Sequence, residues 1–427
     1  MLERIINVLK QSEADGYQIV RTLTKSHEFF FIKNKLDMNR AKEVVHNNVT
    51  VFKKIEDGKF LGSSNIEVFD SSDDDEMKQM IDKAIYSASF VKNPYYELAS
   101  PTTTTVNENA GGDILAIAKD FIEVMQEINI TPTEDINSYE IFVNENERRI
   151  INSNGVDVCF SFVDSMLEVV VNARKGSEEI ELYRNYVSGS CDKTALKNEI
   201  EQTLNIGKDK CVAVDTPALK ETKVLFSSAS AVPFFRYYTS NTNAASIYTK
   251  SSTYEVNKPV NDEVIKGDKV TIRSVVELDN SSSNFPYDSD GNVVYERYLV
   301  EDSVCKNLWG AQQFSQYLNL EKSSMVYNLV VNGGSKTSEE LRTGKYLEAI
   351  EFSDFQVHPM TGDFAGEIRL AYYHDGDKIT VCTGGSVSGN MKKAETQMWF
   401  SKEVKQYNNY VIPAVIAIEE VSVTGIE

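Results

Sequence analysis

Histidine is scarce in this chain. Four occur in 427 residues, at His27, His46, His358 and His374. Cysteine is nearly as rare: Cys159, Cys191, Cys211, Cys305 and Cys382 lie far apart, with no Cys-x-x-Cys pair. That spacing excludes a disulfide framework and a zinc ribbon, and reads as small buried hydrophobes. No apolar run approaches ~18 residues, so no membrane-spanning helix is expected. The opening stretch MLERIINVLKQSEADG lacks a basic start followed by an apolar core, so it reads as a short amphipathic helix and not as a signal peptide. Positive charge is also short, with 44 Lys plus Arg against 64 Asp plus Glu and a formal charge of -20. Such a field repels a phosphate backbone and argues against direct nucleic-acid binding. These absences together lead us to expect a cytoplasmic protein.

Hydrophobic residues make up 41% of the chain, enough for a substantial core, and the length implies two or three structural units. Leu2, Ile5, Ile6 and Leu9 share one helical face. YQIVRTLT and EFFFIKN read as strands, and VTVFKKIEDGKFLGSSNIEVF reads as a hairpin turning at Asp57-Gly58. A second helix follows, capped by Ser71 or Ser72, with Asp73 to Glu76 at the positive end of its dipole. Helix capping accounts for this acidic run without a metal. Residues 93–112 read as a Pro-, Thr- and Asn-rich linker, followed by a third helix near Asp113 to Ile128. The segment from Ser138 to Gly189 reads as about five strands, with a hairpin turn at Asn154-Gly155, and a fourth helix lies around Ala195 to Leu204. From residue 216 strands dominate, with Asp375-Gly376 as a hairpin turn. Two helices interrupt them, one in VPFFRYYTSNTNAASIYTKSS and one around Ser338 to Arg342. The expected fold is α+β: an N-terminal mixed helix and antiparallel-sheet domain over 1–215, then a mostly β, barrel-like domain over 216–427.

Chemistry-bearing motifs are thin. A zinc hydrolase helix places two His one turn apart with a Glu beside the first. HEFFFI begins correctly with His27-Glu28, but Phe31 and Ile32 stand where a second His is needed, within a strand pattern. His46 reads as a surface or helix-end residue, and His358 and His374 as turn or edge residues. No Gly-x-Ser-x-Gly elbow is present. TGGSVSGN, from Thr383 to Asn390, reads either as a mobile loop or as a place where another backbone comes close. VVNGGSKTSEEL reads as a strand-to-helix turn capped by Thr337 or Ser338, whose amides could hold a carboxylate.

Several segments, in this order, carry a resemblance: INSNGVDVCFSF, FPYDSDGN, VVNGGSKTSEELRTGKYLEAIEFSDFQVHPMTGDFAGEIRLAYYHDG, TGGSVSGNM and YVIPAVIAIEEVSVTG. MKQMIDKAIYSASF adds an early helix poorer in Ala than its counterpart. Together they resemble the TldD/PmbA family, also labelled modulators of DNA gyrase, over most of residues 15–425. The resemblance implies an intracellular two-subunit protease, TldD with TldE (also called PmbA), that takes extended peptides as an added strand. It implies a metal held in TldD by a His-Glu-x-x-x-His helix and a C-terminal Cys. The matching helix here would fall in VPFFRYYTSNTNAASIY, which has no His and no Glu, and Glu403 to Glu427 has no Cys.

The resemblance is therefore to the TldE/PmbA side. It implies a chain with no catalytic residues, no cofactor of its own and zinc only in a TldD-like partner. Its partners would be that subunit or a second copy of itself in a dimer, and an extended peptide substrate, with no nucleic acid and no membrane. Alternatives are a homodimeric peptide-binding protein, a gyrase-associated regulator, or a hydrolase using a Ser or Thr. Thr361, Gly362, Asp363, Gly384, Gly385 and Asn390 lie on the matching motifs and are the expected substrate-binding residues. Asp288 and Gly291 read as a turn.

Overall fold

The computed structural model describes residues 1–102, 109–110, 112–322 and 324–425. Residues 103–108 and 111, within the stretch 93–112 expected as a linker, lie outside them. Three long strands open the first sheet: β1 (Gly16–Ile32), β2 (Lys35–Ile55) and β3 (Phe60–Glu67). β1 is continuous through Lys25 and Ser26, where the sequence reads as a break between two strands, because it pairs on both sides along its length. Next come β4 (Glu134–Asn152), β5 (Asp157–Lys175) and β6 (Glu178–Ser188). Three strands thus replace the five read from the sequence. The polar run Asn144 to Arg149 sits in the middle of β4, not in a turn. The Asn154-Gly155 turn joins β4 to β5 as expected, with Gly155 at φ +98°.

Alternation divides this sheet into two unlike faces. On one, Ile19, Val49 and Val51 meet α1 (Leu2–Gln11) and α2 (Asp74–Ala88), while Ile141, Val143, Leu167 and Val169 meet α3 (Ile114–Glu127) and α4 (Lys193–Lys210). The cap of α2 is Asp73 and not Ser71 or Ser72. Its carboxylate accepts from Glu76 N, and the Glu76 carboxylate accepts from Asp73 N, which satisfies two free amides at once. His46 is a surface residue, as one of its two expected readings has it, but it lies within β2, 2.6 Å from Glu67, and not at a helix end.

The C-terminal half builds a closed ring. β7 (Leu219–Phe226) pairs in parallel with β8 (Tyr346–Val357) and antiparallel with the last strand, Ile416–Thr424. β8 pairs with β9 (Asp363–Asp375), and β9 with both β10 (Lys378–Thr383) and β11 (Ser386–Asn390). β11 then pairs with Ile416–Thr424, here β12. The five strands β7, β8, β9, β11 and β12 close on themselves, so the ring has no free edge of its own. The molecule is α+β, as the sequence implies. A six-stranded sheet lies beside the barrel, running through Ile272–Val275, Asn328–Val331 and Tyr410–Pro413. Its strands are shorter than KVTIRSVVEL and VVYERYLV suggest.

α5 (Val232–Asn241) follows β7 and fills the barrel core. Pro233 at its first turn suits a helix start, where its missing N–H costs nothing. Phe234 packs on Phe226, Phe355 and Phe364, with ring centroids 4.8 to 5.3 Å apart. Three further short helices besides α5 and Ser338–Leu341 interrupt the described C-terminal half, more than the two read from the sequence. They carry little helical periodicity because each is only four to six residues long.

The two halves meet in more than one place: Leu370, Tyr372 and Val381 of β9 and β10 pack on the core under α3 and α4, and Phe285 to Val293 reaches the other face of the sheet. Tyr287 and Phe285 pack on Ile150, Phe160 and Phe162, on the sheet face away from the helices. Gly291 sits at φ +86°, and a Cβ there would lie 2.5 Å from Val156 Cγ1. Both the backbone shape and the close approach require glycine. Asp288 and Gly291 do form the expected turn: Asp288 Oδ1 accepts from Asp290 N and Asn292 N, and Gly291 N donates to Asp288 O.

Candidate functional site

Thr361, Gly362, Asp363 and Asn390 come together at one end of the barrel. Asp363 and Asn390 face each other across β9 and β11. Asn390 Nδ2 donates to Thr361 O at 2.9 Å and to Asp363 Oδ1 at 2.8 Å, while its Oδ1 caps the short helix Met391–Ala394 by accepting from Lys392 N. Gly362 O accepts from Met391 N at 2.7 Å. This end also touches α5, since Asn241 Nδ2 donates to Pro359 O at 2.8 Å. The hydrogen bonds to Asn390 and Thr361 hold the Asp363 carboxyl below its usual range.

Gly384 and Gly385 lie elsewhere, about 17 Å along β9 by strand rise. They straddle Ile368: Gly384 N donates to its carbonyl, and its N–H donates to Gly385 O. A Cβ on Gly385 would sit 2.0 Å from Thr424 O. The backbone that comes close here is therefore the chain's own last strand. The GGSK turn behaves alike. Thr337 caps Ser338–Leu341, and the free amide and hydroxyl of Ser338 both donate to Glu403 Oε2 at 2.8 Å. The carboxylate that such amides can hold is internal.

Behind α5 lies a carboxyl that the sequence did not single out. Glu395 is 4% exposed. Its Oε2 accepts from Asn261 Nδ2 at 2.7 Å, and its Oε1 has no partner. Burial pushes this carboxyl up to about 7, with the Tyr238 and Asn261 side chains pulling the other way. Tyr238 and Tyr254 crowd the same spot, and burial raises both phenols. These groups do not fit zinc. No imidazole is among them, and burial raises the neighbouring Cys305 thiol to about 11, away from the thiolate that a metal needs. Among the described residues no group of three or more His, Cys, Asp or Glu is placed to hold a metal ion. His358 and His374 stand at opposite ends of the β8–β9 pair: His358 Nδ1 accepts from Thr361 N, and His374 stacks on Tyr346.

A second site lies on the open face of the N-terminal sheet. Period-two alternation along β4 presents Phe142, Asn144, Asn146 and Arg148 together, opposite Met166, Asp164, Phe162 and Phe160 of β5. Ser282, Ser283 and Phe285 from the C-terminal half close one side, leaving a cavity of about 510 Å³. The cavity is amphipathic. Asn144 and Asn146 both donate to the Asp164 carboxylate. Glu28, whose side chain has no exposed surface, is paired with Arg40 and with Lys42 at 2.7 Å. Burial raises its carboxyl, but Lys42 and Arg40 outweigh that and hold it below the usual range. Sequence reading missed these residues, although the alternation in YEIFVNENERRI is a strand signal that marks them as one face.

Residues 219–425 match the model of the PmbA/TldA metallopeptidase C-terminal domain. A curated relative, the uncharacterized protein MJ0231 of Methanocaldococcus jannaschii, is 24% identical over 167 residues, which is 36% of this chain and 40% of that protein. The chain thus aligns with less than half of that relative's length. Among solved structures, TldE from Thermococcus kodakarensis superposes with a TM-score of 0.76 at 15% identity, covering 99% of this chain and all of that one. TM0727 from Thermotoga maritima, labelled a modulator of a DNA gyrase, gives 0.78 at 14%, covering 100% and 99%. BT3649 from Bacteroides thetaiotaomicron gives 0.78 at 15%, covering 100% and 98%. At such identities these likenesses speak to the fold, while the match over 219–425 speaks to descent. Residues 219–425 thus form a C-terminal domain of the PmbA/TldD metallopeptidase type.

Proposed function

We propose that this chain is the metal-free, TldE/PmbA-like subunit of a two-chain peptidase acting on unfolded peptides. It contributes assembly and substrate enclosure, and the zinc belongs to a TldD-like partner. One observation carries the reading. α5, which the resemblance matches to the metal helix, offers Phe, Tyr, Thr, Ser and Asn but no His or Glu, and spends its rings on the barrel core. Without nitrogen, carboxylate or thiolate donors a helix cannot fix zinc or activate its bound water. Thr361, Gly362, Asp363 and Asn390 then shape the rim of the barrel beside α5. Gly384 and Gly385 set the far end of β11.

The test is metal analysis and cleavage of an unfolded peptide, first with this chain alone and then with a co-expressed TldD-like chain. No zinc and no cleavage alone, with cleavage by the mixture, supports the proposal. Stoichiometric zinc with cleavage by the single chain overturns it. Failure to associate with a TldD-like chain transfers support to the homodimeric peptide-binding reading.

A further inference from the structure

Arg148 makes no ion pair and no hydrogen bond among the described residues, and its Nε is buried without a partner. Its guanidinium lies over the rings of Phe160, Phe162 and Phe285, 5.0 to 5.8 Å from their centroids. Arg cannot discharge itself as a carboxylic acid can, so a half-buried guanidinium with no ion pair is costly. The rings offset part of that cost and fix the plane of the group. Asp164, the nearest carboxylate of the cavity, is held by Asn144 and Asn146 instead. The other acid, Glu28, is already matched by Arg40 and Lys42. Arg148 is therefore left with forked donors beside a cavity also lined by Phe142, Met166 and Ser283.

We propose that this cavity binds the free C-terminal carboxylate of a short peptide with an apolar last side chain, with Arg148 as the anion contact. The proposal rests on the peptide-handling reading above, but not on a partner chain. A planar guanidinium meets a carboxylate through two parallel hydrogen bonds, which suits a terminal carboxylate better than a point charge would. Phe142, Met166 and Val187 give the last side chain apolar wall. A volume of about 510 Å³ suits a few residues and excludes a folded domain. The overall charge of -20 opposes long-range capture of anions, so the selectivity is local.

The probe is acetyl-Gly-Gly-Leu-Phe as the free acid, compared with its C-terminal amide, by calorimetric titration of the full chain. The acid binds, and the amide binds at least about tenfold more weakly. Arg148→Gln brings the acid down to the level of the amide, and Arg148→Lys restores part of the difference. If Arg148 serves only to pack against three Phe rings, acid and amide bind alike, and the proposal falls. It also falls if neither binds. The acid–amide comparison uses the native chain, so a variant that fails to fold leaves it intact. Loss of binding here would leave the cleavage assay with a TldD-like chain untouched, so the two readings fail separately.

Discussion

The barrel end holds a carboxyl, Glu395, with no ion pair; the open face of the N-terminal sheet holds a cation, Arg148, with none either. Glu395 and Arg148 are both half-satisfied, yet the two regions resolve this differently. A carboxyl can take up a proton and become a neutral donor and acceptor, so the barrel closes over Glu395 and fills the space with rings. A guanidinium has no such escape. The sheet face around Arg148 accordingly stays open, roomy and polar. The lesson is that a closed ring can absorb an acid, while an unpaired Arg in a cavity points outward to a ligand.

The contrast breaks most sharply at a core ring. Phe234 is fully buried between Phe226, Phe355 and Phe364, whereas Phe142 forms the half-buried wall of the cavity. Phe234→Ala should destabilise the barrel by about 3–5 kcal/mol, because the ring leaves a hole that its neighbours cannot fill. Phe142→Ala should cost clearly less, as its site already borders solvent. Chemical denaturation of both variants checks this, and equal losses would mean that the barrel end is no better packed than the cavity.

The next effect is electrostatic. The folded Glu395 carboxyl titrates near 7, well above an unfolded glutamate. Its contribution to stability is full below the unfolded value and is lost as pH rises through about 7. Asp288, raised by burial and by the neighbouring Asp290, adds to the same slope. Glu395→Gln keeps an acceptor for Asn261 and removes the titration. It should be more stable than the native chain at pH 8 by roughly 2–3 kcal/mol, and the gap should close towards pH 4.5. Denaturation midpoints across that range decide it. A gap that does not change with pH would show that Glu395 is ionised or solvated in the folded state.

The same physics explains what could be read in advance. The barrel was legible because its strands end in strong turn chemistry, such as Asp375-Gly376, and alternate apolar with polar residues. Asn154-Gly155 was legible for the same reason. The N-terminal strands were cut too short because their open face is polar. Lys25, Ser26 and Asn144 to Arg149 look like loop residues until both neighbouring strands are in place. The α2 cap was misplaced by one or two residues because Ser71, Ser72 and Asp73 are all competent caps, and only the reciprocal bond with Glu76 selects Asp73. Thr361, Asp363 and Asn390 could be singled out by resemblance, but the hydrogen bonds joining them come from pairing β9 with β11. Arg148 and Glu395 were invisible as sites. Each becomes distinctive only through what surrounds it, and no local pattern records a missing counter-ion.

The smallest effect tests whether the sheet manages its acids as this contrast requires. Glu28 is fully buried on the cavity face but has two cations, Arg40 and Lys42, each about half exposed. Arg40→Gln leaves Lys42 in place, so Glu28 keeps one partner and stays charged. The loss should be about 1 kcal/mol, because an exposed partner is screened by water and the remaining cation moves closer. Replacing Arg40 and Lys42 together should cost more than the sum of the two single losses, since the second step strands a buried carboxylate. That excess, read from a double-mutant cycle at pH 7, should shrink as pH falls through the usual carboxylate range and Glu28 takes up a proton. A strictly additive pair would mean that water already reaches Glu28, and that the cavity is wetter than its geometry implies.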